Sequence, residues 1–253
     1  MSVTPINVSS SISDAEWRTR CDLAALYRLI HHYRMTDLIY THLSARVPDE
    51  DGTFLINRYG ELFDEVTASS LVKMDMDGNV VGEPGAFNMA GFNIHSGIYG
   101  ARPDINCVLH THTRAGVVVS STKEGLQPIS QHALIIYNEV SYFDYTGPGT
   151  TETPEDIGHG CGKTNCVVMR NHGLMTMGHT IPAAFVRMYY LELSCQIQES
   201  AASMAGGVQP IDPKVLEETL EQYAARGSAP ELGQREWPGL LRLLERNGVE
   251  YAV

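Results

Sequence analysis

The chain has 253 residues, 43% of them hydrophobic and 19% charged, enough to bury a sizeable core without disulfides or a structural metal. That apolar content excludes a disordered chain. A formal net charge of −12 argues against nucleic acid or an anionic membrane surface as partner, because phosphate recognition needs a basic footprint.

Residues 1–12 read as a flexible arm, with neither the basic start nor the apolar core of a signal peptide. Ser13-Asp14-Ala15-Glu16 reads as a capping box, and Leu23, Leu26, Tyr27 and Ile30 follow at helical spacing, which predicts a helix over about 14–34. Strand-like pieces come next at 39–47 and 53–57, then a hairpin of 71–75 and 80–81 around Asp77-Gly78. A second helix is expected over 89–99, ending before Arg102-Pro103. A buried strand over 105–112 leads into a short helix at 115–121. Strands are then expected at 127–137, 165–170 and 173–177, followed by a long helix at 181–204. A tail from about residue 206 carries two polar helices, at about 213–226 and 237–248. Strands in the middle with helices around them indicate one α/β or α+β domain, spanning 13–253, whose sheet is covered by helices.

No run of about 18 apolar residues occurs, so no bilayer span is expected. The five cysteines form no C-x-x-C pair, and Cys161 and Cys166 lack the second pair that would complete a metal site. Reduced thiols in a cytoplasmic protein are the expectation.

The ten histidines carry the chemistry. His110-Thr111-His112 closes an apolar strand, and side chains at i and i+2 of a strand share one face about 7 Å apart. Two imidazoles so placed can share one cation. Arg170-Asn171-His172-Gly173 follows another apolar strand and supplies a third imidazole beside a glycine that lets the backbone turn. Three neutral imidazoles leave open coordination positions, as a catalytic metal site requires. His95, inside a predicted helix, reads as a packing or hydrogen-bonding residue, and His31, His32, His159 and His179 as surface or structural ones.

Four pieces of sequence together resemble the class II aldolase/adducin family: Thr41-His42-Leu43-Ser44-Ala45-Arg46-Val47; Ile94-His95 with Arg102-Pro103-Asp104; His110-Thr111-His112-Thr113; and Arg170-Asn171-His172-Gly173-Leu174. The match in order and spacing runs over roughly residues 15–205. The resemblance implies a single α/β/α domain with a mostly antiparallel central sheet and helices on both faces. It also implies a homotetramer with active sites near subunit boundaries, and a divalent metal held by His110, His112 and His172. Zinc is the first expectation, with Mn, Co or Fe(II) as alternatives. The family's C-terminal segments complete neighbouring sites, so the tail with Tyr223 and the helix from Trp237 reads either that way or as plain packing.

Two departures from the aldolases matter. Those enzymes carry a metal-ligating, proton-transferring Glu 19 residues before the first metal histidine, where this chain has Gly91. Their phosphate-binding Gly-Asn and Ser-Ser pairs fall on Thr41-His42 and Met89-Ala90 here, and an anion cradle needs free N–H groups and hydroxyls. A sugar phosphate is therefore a poor fit. His42, Arg58, Tyr59 and Gly91 are the expected pocket, with Arg58 suited to a carboxylate, and His132 or Tyr137 would stand in as acid/base. The expected function is a metal-dependent lyase, by aldol-type cleavage or decarboxylation, acting on a non-phosphorylated hydroxy- or oxo-acid. The alternatives are a non-haem iron oxygenase on the same fold and a non-catalytic scaffold like the adducin head, which lacks the metal histidines.

Overall fold

Alternating side chains divide the buried strands between two cores, and this division fixes the architecture. The structure is a computed structural model that describes residues 12–147, 153–161, 164–227 and 232–253. Nearly all of the expected arm, residues 1–11, lies outside the described residues. Seven strands form one sheet: β1 (His42–Arg46), β2 (Thr53–Ile56), β3 (Val72–Asp75), β4 (Cys107–Thr111), β5 (Val140–Phe143), β6 (Cys166–Met169) and β7 (Gly173–Gly178). Their order is β3-β2-β1-β4-β7-β6-β5. Only β5 and β6 run parallel; every other neighbouring pair is antiparallel.

Leu43, Ala45, Leu55, Cys107, Leu109, Cys166, Val168 and Leu174 point to one face, the larger core. There they pack with α1 (Asp14–His32), α3 (Arg114–Ser120), α4 (Gln131–Ile136), α6 (Ile181–Ala202) and α8 (Trp237–Arg246). Phe54, Ile56, Val108, Val167, Met169, Met175 and Met177 face the other way, against α2 (Met89–Ala101) and α5 (Pro154–Gly160). The chain is thus a single α/β domain with helices on both faces of a mostly antiparallel sheet, as the resemblance implied. No described helix is long and apolar enough to cross a membrane.

Helix α1 begins at Ser13, whose hydroxyl accepts from Glu16 N–H at 3.1 Å. The expected reciprocal half of a capping box does not form. Glu16 is fully buried and instead accepts from Arg20 and Lys73, both at 2.8 Å, tying α1 to β3. A buried carboxylate needs such cationic partners, and that need outweighs a cap.

The expected strand at 127–137 is a correction. Ser130 accepts from Ala133 N–H at 3.2 Å and caps the short helix α4, a 3-10 turn (Tyr137–Glu139) follows, and the strand begins only at Val140. An apolar run as short as Ala133–Ile136 fits a buried strand and a buried helix turn equally well. Strand β5 and helix α5 were not expected. Thr153-Pro154-Glu155-Asp156 at the start of α5 forms a reciprocal capping box with proline in the first turn. In the tail, α7 (Pro213–Gly227) lies against α4, and α8 packs on α1, with Trp237 Nε1 donating to Asp22 at 3.2 Å. Within one chain, α8 is a packing helix.

Candidate metal centre

Strand parity puts His110 on the face of the smaller core, beside Val108, and His112 follows one residue past the end of β4 on the same side. His172 sits in the turn between β6 and β7. Asn171 adopts a left-handed φ of 55°, and a side chain at Gly173 would place its Cβ 2.4 Å from the carbonyl oxygen of Thr111. Only glycine lets β7 approach β4 so closely there. One ring nitrogen from each of His110, His112 and His172 lies within 4.8 Å of the other two.

The hydrogen bonds fix which nitrogens face inward. His110 Nδ1 lies 3.0 Å from the Leu174 carbonyl oxygen, and His112 Nδ1 lies 2.9 Å from Asp37 Oδ2. A carbonyl and a carboxylate only accept, so each Nδ1 carries a proton and, in a neutral ring, each Nε2 offers a lone pair. The two Nε2 atoms are 2.9 Å apart. Two lone pairs that close repel unless a cation or proton lies between them. Metal–nitrogen bonds of about 2.1 Å would set ligand nitrogens about 3.0–3.4 Å apart, so the pair fits a divalent cation. Burial, reinforced by His112, pushes His172 down to about 4, and burial with the surrounding imidazoles holds His110 well below 6.5. Both rings are neutral at pH 7, the form a metal requires.

Beside the histidines, Gly91 of α2 packs against His42. A Cβ there would lie 2.7 Å from His42 Cδ2 and 3.1 Å from its Nε2, so the imidazole of His42 fills the space a side chain would need. The His42 ring centroid is 5.1 Å from that of His110, its register partner across β1 and β4. Behind His42, its Nδ1 lies 2.7 Å from His95 Nε2; His95 Nδ1 meets Ser44 Oγ, and Ser44 Oγ lies 2.7 Å from the Tyr99 hydroxyl. His95 is the buried hydrogen-bonding residue expected of it.

Arg58 and Tyr59 lie just past the end of β2. Extending the pairing of Ser44 with Ile56 by two residues sets Arg58 level with His42. Its Nε is buried without a hydrogen-bond partner and stands 3.9 Å from Glu61, while 41% of its side chain is exposed. His132 and Tyr137 are not brought to the histidines within this chain. His132 faces Tyr190 of α6 with ring centroids 6.1 Å apart, and Tyr137 packs against the larger core, on the opposite side of the sheet. The helix in place of the expected strand is the reason. Sequence reasoning also missed Asp37 and Tyr145, whose ring lies 6.3 Å from that of His172. Neither belongs to a spacing motif, and both reach the site only through the fold.

Much of the recognisable motif is scaffold. Arg46 donates to the carbonyls of Ile105 (2.8 Å) and Tyr99 (2.6 Å), and Arg102 pairs with Asp104 at 2.7 Å.

A seven-stranded, mostly antiparallel sheet with helices on both faces is the fold of class II aldolases. The chain belongs to that family: the model described as Class II Aldolase and Adducin N-terminal domain matches residues 21–199. A protein of Caulobacter vibrioides, named provisionally as a class 2 aldolase, is 40% identical over 249 residues, covering 98% of this chain and 96% of that one. Alpha-adducin of Rattus norvegicus is 39% identical over 266 residues, covering 97% of this chain but 36% of adducin, so this chain spans about a third of that protein's length. The crystal structure of an aldolase II superfamily protein from Pseudomonas syringae superposes with a TM-score of 0.88 at 42% identity, covering 97% of this chain and 99% of the other.

Proposed function

We propose that this chain is a divalent-metal-dependent lyase that cleaves a C–C bond, by retro-aldol reaction or decarboxylation, in a non-phosphorylated hydroxy- or oxo-acid. His110, His112 and His172 are its metal ligands, for zinc first and for Mn, Co or Fe(II) as alternatives. The observation that carries the reading is the pair of inward-facing Nε2 lone pairs 2.9 Å apart, each fixed by an acceptor behind its ring. When bound, a divalent cation supplies Lewis-acid polarisation of a carbonyl and its neighbouring oxygen.

The chain's own groups do the rest. In this reading Arg58, whose Nε makes no hydrogen bond and only a 3.9 Å ion pair with Glu61, binds a substrate carboxylate, and Tyr59 lies in the same loop. Tyr145, whose ring lies 6.3 Å from that of His172, is the group this reading assigns to move a proton at the leaving atom. Met89 and Ala90 offer no cradle for a phosphate, which supports an unphosphorylated substrate. Leu38, Tyr40 and Met89 are 67%, 51% and 55% exposed close to the site in the chain, which suits the cover of a neighbouring subunit in a homotetramer.

The test is the purified chain with added divalent metal, assayed against a panel of 2-oxo and 2-hydroxy acids. Metal-dependent release of pyruvate, CO₂ or an aldehyde from one of them is expected; release from none contradicts the reading. The similarity to alpha-adducin favours a second reading, a metal-free binding module. A metal content near zero that added metal does not restore would support it.

A further inference from the structure

The direction of the hydrogen-bond chain behind His42 decides what His42 offers the pocket. The chain starts at Tyr99, a residue only 2% exposed, whose hydroxyl has Ser44 Oγ as its hydrogen-bond partner among the described residues. A buried phenol proton needs an acceptor, so Tyr99 donates to Ser44. Ser44 has one proton, and with Tyr99 already donating it must give that proton to His95 Nδ1. His95 is fully buried and neutral, so its own proton sits on Nε2 and is donated to His42 Nδ1 across 2.7 Å. His42, 3% exposed and neutral for the same reason, must then carry its proton on Nε2. The reverse direction would leave the Tyr99 proton without an acceptor.

We propose that His42 presents an Nε2–H donor, not a lone pair, to the space beside His110, His112 and His172, and that this donor binds an anionic oxygen of the substrate. This deepens the lyase reading and rests on it for the ligand. His42 is then a binding residue next to the metal and not a fourth ligand. Ser44, His95 and Tyr99 are positioning residues that fix its tautomer. The absent side chain at Gly91 gives the ring its room, since a Cβ would lie 3.1 Å from that same Nε2. A donor at this point favours substrates that carry or develop negative charge on an oxygen near the one polarised by metal, as a 2-oxo acid does in its carboxylate and in the enolate left by C–C cleavage.

Two measurements on the full chain test this. Long-range ¹H–¹⁵N correlation spectra of the metal-free protein, with His42 assigned by comparison with His42→Gln, should show His42 protonated on Nε2. Tyr99→Phe, which keeps the ring and removes the starting proton, should populate the Nδ1–H tautomer. A wild-type His42 already protonated on Nδ1 overturns the proposal. In the zinc-loaded protein, oxalate serves as a chelating dianion for calorimetry. His42→Phe should weaken oxalate about ten- to hundredfold, the loss of one hydrogen bond to a charged group, with zinc stoichiometry unchanged. Loss of zinc with oxalate affinity per bound metal preserved would make His42 a ligand and overturn the proposal. The tautomer is read without metal, so a chain that takes up no metal sinks the lyase reading while the tautomer still decides this one.

Discussion

Asp37 accepts from His112 Nδ1 at 2.9 Å while remaining 42% exposed, so one surface carboxylate sets the orientation of the His112 ring. A carboxylate behind a histidine fixes the ring and raises the basicity of its inward nitrogen. Asp37→Asn keeps an acceptor but loses the charge, and is expected to weaken zinc binding about ten- to a hundredfold. Competition titration against a chelator reads this directly; an unchanged affinity would mean that Asp37 does not hold the ring. At this scale the sequence yielded the three histidines, because H-x-H on a strand and a histidine before a turn glycine are local patterns. It also singled out Gly91 and His42, which the fold packs against each other. Asp37, Tyr145 and the partners of His42 are brought in by tertiary packing, and no spacing marks them. Only the strand expected around His132 and Tyr137 is overturned, an apolar run this short being ambiguous between strand and helix.

Between elements, α2 and α5 approach each other closely across a pair of glycines. A Cβ at Gly97 would lie 2.2 Å from the Pro154 carbonyl oxygen, and one at Gly158 would lie 2.5 Å from that of Gly97. These obstacles are backbone atoms, so they cannot swing aside as a side chain would. Gly97→Ala gains helix propensity of about 1 kcal/mol but must push the helices apart, an overpacking cost of about 1–3 kcal/mol. A net loss in urea-unfolding free energy is expected, together with displacement of the helix that carries Gly91 and His95; a stabilised variant would contradict the tight packing. The long helices α1 and α6 and the apolar strands were legible because their patterns run unbroken over many residues. The short pieces, β5 and α4, were not, and α5 was overlooked although its Thr-Pro-Glu-Asp start is a sound helix signal.

Over the whole molecule, His95 links stability to pH. Burial, then the nearby His110, pushes it down to about 3 from an ordinary value of 6.5. The unfolded chain takes up a proton below about pH 6.5 and the folded chain does not, so this contribution is complete above 6.5 and is lost as pH falls towards 3. Between pH 6.5 and 5 the loss is on the order of 2 kcal/mol for this one group. Denaturation of metal-free protein at both pH values, compared with His95→Gln, should show a shallower fall in the variant; parallel profiles would contradict a neutral buried His95. Charge and fold alone leave enzyme and scaffold on equal footing, because the same architecture serves aldolases and the adducin head. What separates them is whether three histidines hold a metal. The most direct measurement is metal content per chain after equilibration with zinc and gel filtration, for wild type and for His172→Ala. About one zinc per wild-type chain and its loss in the variant are expected; a wild-type chain that emerges without metal, or a variant that binds as well, would contradict a three-histidine metal site.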